Sequence, residues 1–467
     1  MDATDAITAV IVLLHKFIAF TFIPANARQT KKDIEHAQNT IMYLNLEWWE
    51  NYKDDILTQH LKELYESNYD LKNAELKIKE NEKLVKMQFA DELPQLSFDG
   101  YIARTFRSSI QRYGNMVIPS YAQNNFQLPL TASYEIDIWG KNRLKTKSSE
   151  QYLEMVKQAE RATYIALTSD FAAEYFNLIK CDKLLSIQNE LIAIQEEIVA
   201  KTEDKYSAGL ATINDLIAEQ KMLTVLKEEK NSIEKNQEVL INNLRVYLAK
   251  SYGDIERADF NKIILLENIP QEINSDIIEN RPDFLQQEAN IKRAGYDAKV
   301  AKRELLPSIV IFGQIGFNAY RLNRLVNSSS QLFNAGIMPS LDIFAGGRKM
   351  AFLKLRKYQY DEALNDYQKT ILEDIKELNI SLHEYKTAKK NYEESLARLN
   401  LQDKTYRLMT DKKDIGSASD LDVLYNRESL LLTTKEEVSN KINCLISTIT
   451  LYKATGGKNL YETAANI

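Results

Sequence analysis

The sequence predicts a mainly α-helical chain of long helical hairpins joined to four short β-strands of the membrane-barrel type, with the whole arrangement written twice. Three observations predict it. The eight prolines stand at 24, 94, 119, 129, 270, 282, 307 and 339, so Thr131 to Ile269 and Ser340 to Ile467 contain none. An interior proline costs a helix about 3 kcal/mol, which makes these stretches, rich in Leu, Lys, Glu, Asn and Ala, the places where long helices can persist. Segments of apolar and polar alternation lie beside them, and the same landmarks recur in the second half of the chain in the same order.

At the N-terminus, Ala6 to Leu14 and Phe17 to Ile23 are apolar, and Ala25-Asn26-Ala27 has the small-x-small form a signal peptidase accepts. A signal peptide is therefore expected at 1–27. Asp2 and Asp5 stand where basic residues are usual, and Lys16 interrupts the apolar run. An amphipathic helix or a start codon placed elsewhere stays open. Residues 28–66 form a further N-terminal segment.

The helices follow. Asn68-Tyr69-Asp70-Leu71 opens a charged helical pattern that ends at Leu93-Pro94, and Arg281-Pro282-Asp283-Phe284 opens another that ends at Leu306-Pro307. Asp70 to Asp283 and Pro94 to Pro307 are both 213 apart; Gly140 and Gly346 differ by 206, and Gly209 and Gly416 by 207. Each proline-free stretch has a central glycine. Around Gly209 the seam is Leu184, Ile187, Leu191, Ile194 and Ile198, then Leu223, Leu226, Ile233, Leu240 and Leu244. In the second half Val438, Ile442, Leu445, Ile449 and Tyr452 repeat it. Three-and-four spacing is the seam of helices packed lengthwise. Two hairpins are expected, 142–250 with a tip near 209 and 348–454 with a tip near 416. One uninterrupted coiled coil with a tolerated glycine is the alternative. At 1.5 Å per residue the outgoing helices, 142–208 and 348–415, would be about 100 Å long and the returning ones about 60 Å.

The strands come next, near 95–106, 124–138, 308–318 and 332–344. Phe126, Leu128, Leu130, Ala132, Tyr134, Ile136 and Ile138 occupy one face, while Gln127, Thr131, Ser133, Glu135 and Asp137 occupy the other. That alternation suits a strand between lipid and a watery lumen, and it also suits a small soluble sheet packed on helices. Four strands cannot close a barrel, and open edges in lipid leave backbone groups unpaired. If the strands lie in a membrane, several chains must share the barrel. The repeats are then 67–250 and 281–455, with a linker at 251–280 and a tail at 456–467.

Composition removes other classes. The 60 Lys and Arg are mixed with 66 Asp and Glu, for a net charge of −6, so no basic stripe offers itself to nucleic acid. His15, His36, His60 and His383 are scattered, and Cys181 and Cys444 are solitary, so neither a metal cluster nor a disulfide framework is expected. The cysteines lie 28 residues before Gly209 and 28 after Gly416, at equal height, so a disulfide between them is conceivable beside plain burial. No phosphate loop, dinucleotide fingerprint, His-Glu-x-x-His or Gly-x-Ser-x-Gly occurs, and Glu196-Glu197 and Glu436-Glu437 read as solvated helix faces.

The Asn-Tyr-Asp and Arg-Pro-Asp openings, the Leu-Pro before each first strand, Ile136-Asp137-Ile138-Trp139-Gly140 after the second, and each glycine turn followed six residues later by Asp215 or Asp422 together resemble the TolC family of outer-membrane efflux proteins. The resemblance runs from about residue 47 to 457. It implies a homotrimer with a shared twelve-stranded β-barrel in outer-membrane lipid and an α-barrel crossing the periplasm of a Gram-negative bacterium. A periplasmic adaptor and an inner-membrane pump would be the partners, with no catalysis and no cofactor. It also implies that the turns Ala208-Gly209-Leu210 and Ile415-Gly416-Ser417 meet the adaptor. Asp422 matches the first acid of the family's constricted entrance, whereas Tyr425 stands where the second would be; Asp420 adds charge nearby. Asp422 and Asp215 can equally act as helix-start stabilisers. Type I protein secretion and a poreless coiled-coil scaffold are the alternatives in function.

Overall fold

A computed structural model describes residues 48–108, 112–113, 116–117, 119–266 and 275–457. The expected leader at 1–27, residues 28–47 and the tail from 458 lie outside the described residues.

After a short 3-10 turn at Trp48–Tyr52 come α1, Asp55–Ser67, and α2, Tyr69–Ala90. Asn68 explains its motif. Its Oδ1 accepts from the N–H groups of Asp70 and Leu71 at 2.8 and 3.2 Å, which caps α2, and its own N–H closes α1 on the Leu64 carbonyl. The strands are β1 Gln95–Phe98, β2 Tyr101–Arg107, β3 Arg112–Tyr113, β4 Met116–Val117 and β5 Tyr121–Glu135. The first hairpin is α3, Lys141–Ser207, and α4, Ile213–Tyr247. The second half has α5, Pro282–Arg303, β6, Ser308–Ala319, β7, Gln331–Ser340, α6, Arg348–Asp414, and α7, Asp420–Ala454. Pro282 sits at the first helical position of α5, where its missing N–H is no loss.

Both outgoing helices have 67 residues, about 100 Å at the standard rise, and both returning helices have 35. The returns are shorter than expected for a local reason. Each begins only at a capped residue beyond its glycine, and α4 stops early because Ala249 turns to a φ of 55° while Lys250 N–H bonds the Arg245 carbonyl at 2.8 Å.

One compact unit, 79–155 with 288–366 among the described residues, contains the sheet. Its strands run antiparallel in the order β1 and β2, then β5, β6 and β7, so β1 with β2 forms one edge and β7 the other. Register sorts the faces. Phe98, Leu130, Ile315 and Phe333 form one apolar row across all four ranks, and Ser97, Thr131, Gln314 and Asn334 form a polar row on the opposite face. The strand expected at 95–106 is split at Asp99 and Gly100. Pro129 of β5 stands opposite Asp99 in an unbroken register; Asp99 N–H donates to the Pro129 carbonyl at 3.3 Å, but Pro129 has no N–H to return the bond, so the pairing thins there. On its other side Pro129 pairs with Gly316, where a Cβ would come within 2.1 Å of the Leu128 carbonyl oxygen. The second strands end at Glu135 and Ser340, short of 138 and 344. The Asp137 carboxylate instead accepts from the N–H groups of Asn142 and Arg143 at 3.1 and 3.0 Å, which starts α3.

The other unit, 42–78, 156–287 and 367–467, contains the main core among its described residues. Phe171, Tyr175, Phe176 and Leu191 of α3 pack with Leu57, Leu61 and Leu64 of α1, Leu244 of α4 and Val438, Ile442 and Leu445 of α7. Trp48 stacks on Tyr452 with ring centroids 4.5 Å apart. Cys181 belongs to this core and Cys444 to a second cluster with Ile277, Ile278, Leu378, Tyr385 and Leu451. Both thiols are free and buried, and burial pushes that of Cys444 up to about 11.

The Arg-Pro-Asp opening serves this unit as an ionic tie. The Arg281 guanidinium meets Asp283 at 2.6 Å, Glu377 at 2.7 Å and Asp374 at 3.2 Å, and donates to the Ala454 carbonyl at 2.6 Å. The side chains of Arg281 and Asp374 are 8% and 2% exposed. Burial drives the Asp374 carboxyl up to about 7 although the facing guanidinium opposes it.

Candidate functional site

The two hairpin tips have the same construction. Gly209 and Gly416 take φ values of 74° and 73°, with open space where a Cβ would be. Leu210 N–H reaches the Lys205 carbonyl at 2.8 Å and Ser417 N–H the Lys412 carbonyl at 2.7 Å, so each outgoing helix closes on a left-handed glycine. The turns leave Leu210 78% and Ile415 80% exposed. Two solvent-facing aliphatic side chains therefore mark the tips, beside Ala208 and Ser417.

The returning helices start with reciprocal caps. Thr212 Oγ1 accepts from Asp215 N–H, and Asp215 Oδ2 accepts from Thr212 N–H at 2.8 Å; Ser419 and Asp422 repeat the pattern, also at 2.8 Å. Those bonds hold both carboxyls below the usual aspartate range. The chemistry seen for Asp215 and Asp422 within one chain is thus helix initiation. The Thr-x-x-Asp and Ser-x-x-Asp strings carry that signal in the sequence.

Asp420 lies between two ammonium groups, Lys201 of α3 at 2.8 Å and Lys413 of α6 at 2.9 Å, and their bonds lower its carboxyl to about 2. It joins the two hairpins. Tyr425 does the same one turn further: its hydroxyl donates to Glu219 Oε1 of α4 at 2.7 Å, and Gln195 of α3 donates to Glu219 Oε2 at 2.7 Å. Burial, then the adjacent Glu219 carboxylate, raises the Tyr425 phenol and the Glu428 carboxyl. Deeper along α7, Arg427 meets Glu190 at 3.3 Å, and Lys435 meets Gln188 at 2.8 Å and Glu229 at 3.1 Å. Sequence reasoning missed Glu219, Gln195, Lys201 and Lys413, because no local string announces a partner on another helix.

Among the described residues no group of three His, Cys, Asp or Glu is placed to hold a metal, and no helix is long and apolar enough to cross a membrane. An antiparallel sheet with a continuous apolar face and edges at β1/β2 and β7 left unpaired among the described residues, in a chain of paired long helical hairpins, fits the class of outer-membrane channel components. The chain belongs to the outer membrane efflux protein family, whose sequence profile matches residues 60–250 and 273–457. It is an efflux transport protein of the outer membrane. The cation efflux system protein CusC of Escherichia coli O157:H7 is 26% identical over 425 residues, covering 89% of each chain. The solvent efflux pump outer membrane protein SrpC of Pseudomonas putida is 25% identical over 411 residues, covering 87% of this chain and 86% of its own. In fold, the chain is similar to the CmeC outer membrane channel of Campylobacter jejuni, with a TM-score of 0.81 and 24% identity over 90% of this chain and 91% of that one.

Proposed function

We propose that the chain is the exit duct of a tripartite efflux system, and that three copies form it. Each contributes four strand ranks to a closed twelve-stranded barrel, and the long hairpins enclose the periplasmic passage as an α-barrel. The chain itself performs no chemistry and needs no cofactor; an inner-membrane pump supplies the work and a periplasmic adaptor docks at the Gly209 and Gly416 tips. Asp420, Asp422 and Tyr425 line the entrance in this reading, with Asp215 at the matching place in the first hairpin. The two structural repeats, 67–250 and 281–455, descend from one duplicated unit, a reading supported by the paired helix lengths of 67 and 35 residues and the paired caps.

The observation that carries the proposal is the pair of open sheet edges, β1 with β2 and β7, each exposing aromatic residues such as Phe98 and Phe333. In lipid an unpaired edge costs several kcal/mol for every orphaned backbone group, so the edges must meet other copies. Reconstitution in planar bilayers tests it. Heat-modifiable trimers that conduct ions are expected, and a monomeric, silent protein would refute the duct.

A further inference from the structure

Charge in the sheet is distributed with a marked asymmetry. From Gly100 to Tyr134 and from Leu305 to Leu341 the chain has no Asp, no Glu and no Lys, yet it has Arg104, Arg107, Arg112, Arg321 and Arg324. Elsewhere acids outnumber bases, as the net charge of −6 requires. All five arginines fall at or beyond the end of the sheet away from the helices. Ile102, Phe126 and Ala319 share one row across β2, β5 and β6, and Arg104 and Arg321 each follow that row by two residues. Arg107 closes the β2 register opposite Tyr121, on the face opposite Arg104, and lies over the Tyr121 ring at 5.5 Å, so at the strand ends Arg104 and Arg321 are the pair on the Ile102 face.

The two ends of the sheet are therefore chemically different. At the helix end, charges are neutralised in pairs: Lys141 meets Glu135 at 2.6 Å and Lys349 meets Asp342 at 2.9 Å. At the far end Arg104, Arg107, Arg321 and Arg324 are exposed and have no carboxylate partner among the described residues. Between the ends β6 runs for 12 uncharged residues, enough to cross a hydrocarbon layer as a tilted strand of about 9–11 residues. Arg104 also alternates with apolar neighbours on its own face, since Ile102 and Phe106 are 74% and 72% exposed.

On the orientation proposed above, on which this inference rests, the helices lie on the periplasmic side and the arginine rim meets the outer leaflet. We propose that the rim binds the phosphate groups of the outer-leaflet glycolipid, lipopolysaccharide. The guanidinium fork matches phosphate oxygens two at a time and is less strongly hydrated than an ammonium group, which accounts for a rim built from arginine without lysine. Ile102 and Phe106 provide the contact for acyl chains beside those phosphates, so the site suits a phosphorylated amphiphile and not free phosphate. In a trimer the rim repeats three times, and bound glycolipid brackets the barrel at its outer end.

The test uses the full chain purified from outer membranes in mild detergent. Lipopolysaccharide per chain is measured for wild type, for the combined R104Q/R107Q/R321Q/R324Q variant and for the same four positions changed to Lys. Delipidated protein is then titrated with lipopolysaccharide, with vesicles of phosphatidylethanolamine, and with inorganic phosphate, following the melting of the oligomer. Wild type should retain the glycolipid and gain thermal stability from it alone. The Gln variant should lose most of both, and the Lys variant should keep an intermediate share. The smaller Arg104→Gln with Arg321→Gln pair, checked for unchanged helix content and oligomer, gives the same reading if the fourfold variant does not fold. Equal retention in wild type and Gln variants overturns the inference, as does equal stabilisation by phosphatidylethanolamine or by phosphate. Labelling of Asn323→Cys by an impermeant maleimide on intact cells tests the orientation separately. Labelling from outside combined with indifference to the arginines sinks this proposal alone, whereas no labelling from outside sinks the orientation and this proposal together.

Discussion

The Tyr425 hydroxyl, on α7, donates to the Glu219 carboxylate, on α4, across 2.7 Å and 206 residues of sequence. The two hairpins of one chain are thereby fastened to each other close to their tips, with Asp420 between Lys201 and Lys413 as a second fastening. If the tips form the proposed entrance, it would widen when α7 leaves its neighbours.

Tyr425→Phe removes the donor and leaves Glu219, among the described residues, with Gln195. Single-channel recording of the reconstituted protein should show a higher conductance or a larger open fraction than wild type. Unchanged conductance would place the constriction elsewhere.

The caps and the charge of Asp422 separate cleanly. Ser419→Ala removes the hydroxyl of the cap and should destabilise the start of α7 by about 1 kcal/mol, seen as faster amide exchange at 419–425, with cation selectivity untouched. Asp422→Asn should weaken the cap and also lower cation selectivity if the carboxylate faces the passage.

Asp420 contributes to the acid sensitivity of the tip together with the capping Asp215 and Asp422. Its carboxyl is held at about 2, below its ordinary 3.8, so its contribution to the fold is present above about pH 4 and disappears as pH falls through about 2. The difference in tip stability between wild type and Asp420→Asn should therefore be visible at pH 7 and vanish near pH 2, by proteolysis or fluorescence at the tips.

Arg281 and Asp374 respond in the opposite direction. A carboxyl raised to about 7 favours the fold in its neutral form, fully below its ordinary 3.8, and loses that advantage as pH rises through about 7. Arg281→Met strips a buried acid of its partner and should destabilise the protein by about 3–5 kcal/mol at pH 8, with a smaller loss at pH 5. Adding Asp374→Asn should restore much of it in thermal melts.

The exposed tip residues predict adaptor loss without unfolding. Leu210→Ser combined with Ile415→Ser should leave the oligomer and its conductance intact while abolishing adaptor recovery by crosslinking from the tips. Recovery at the wild-type level would move the docking surface away from both turns.

Much of this architecture is legible from local chemistry. Gly209 and Gly416 declare themselves because a sharp reversal of two helices needs a residue at ease at positive φ, and Asn68 and Pro282 mark helix starts by their own hydrogen-bonding capacity. The break at Asp99 and Gly100 is illegible in its own segment, since its cause is Pro129 on the adjacent strand. Asp420 is visible as a charge but not as a bridge, because Lys201 lies 219 residues away. Glu219 is hidden for the same reason. Properties fixed within one turn of chain can be read from the sequence, and those fixed between helices need coordinates.

In the proposed trimer, a proline at the sheet's β7 edge would limit how a further copy could attach. In the proposed shared barrel a neighbour would bring its β7 edge, which carries Pro339 paired inward with Ile309, against the outer edge of β1 and β2. Sliding by a step would bring the proline against a live donor or acceptor and shift every side chain to the wrong face. In that reading the β7 margin would be keyed, and a newly made chain travelling towards the membrane would present a border that discourages promiscuous stacking while admitting a correctly aligned sibling.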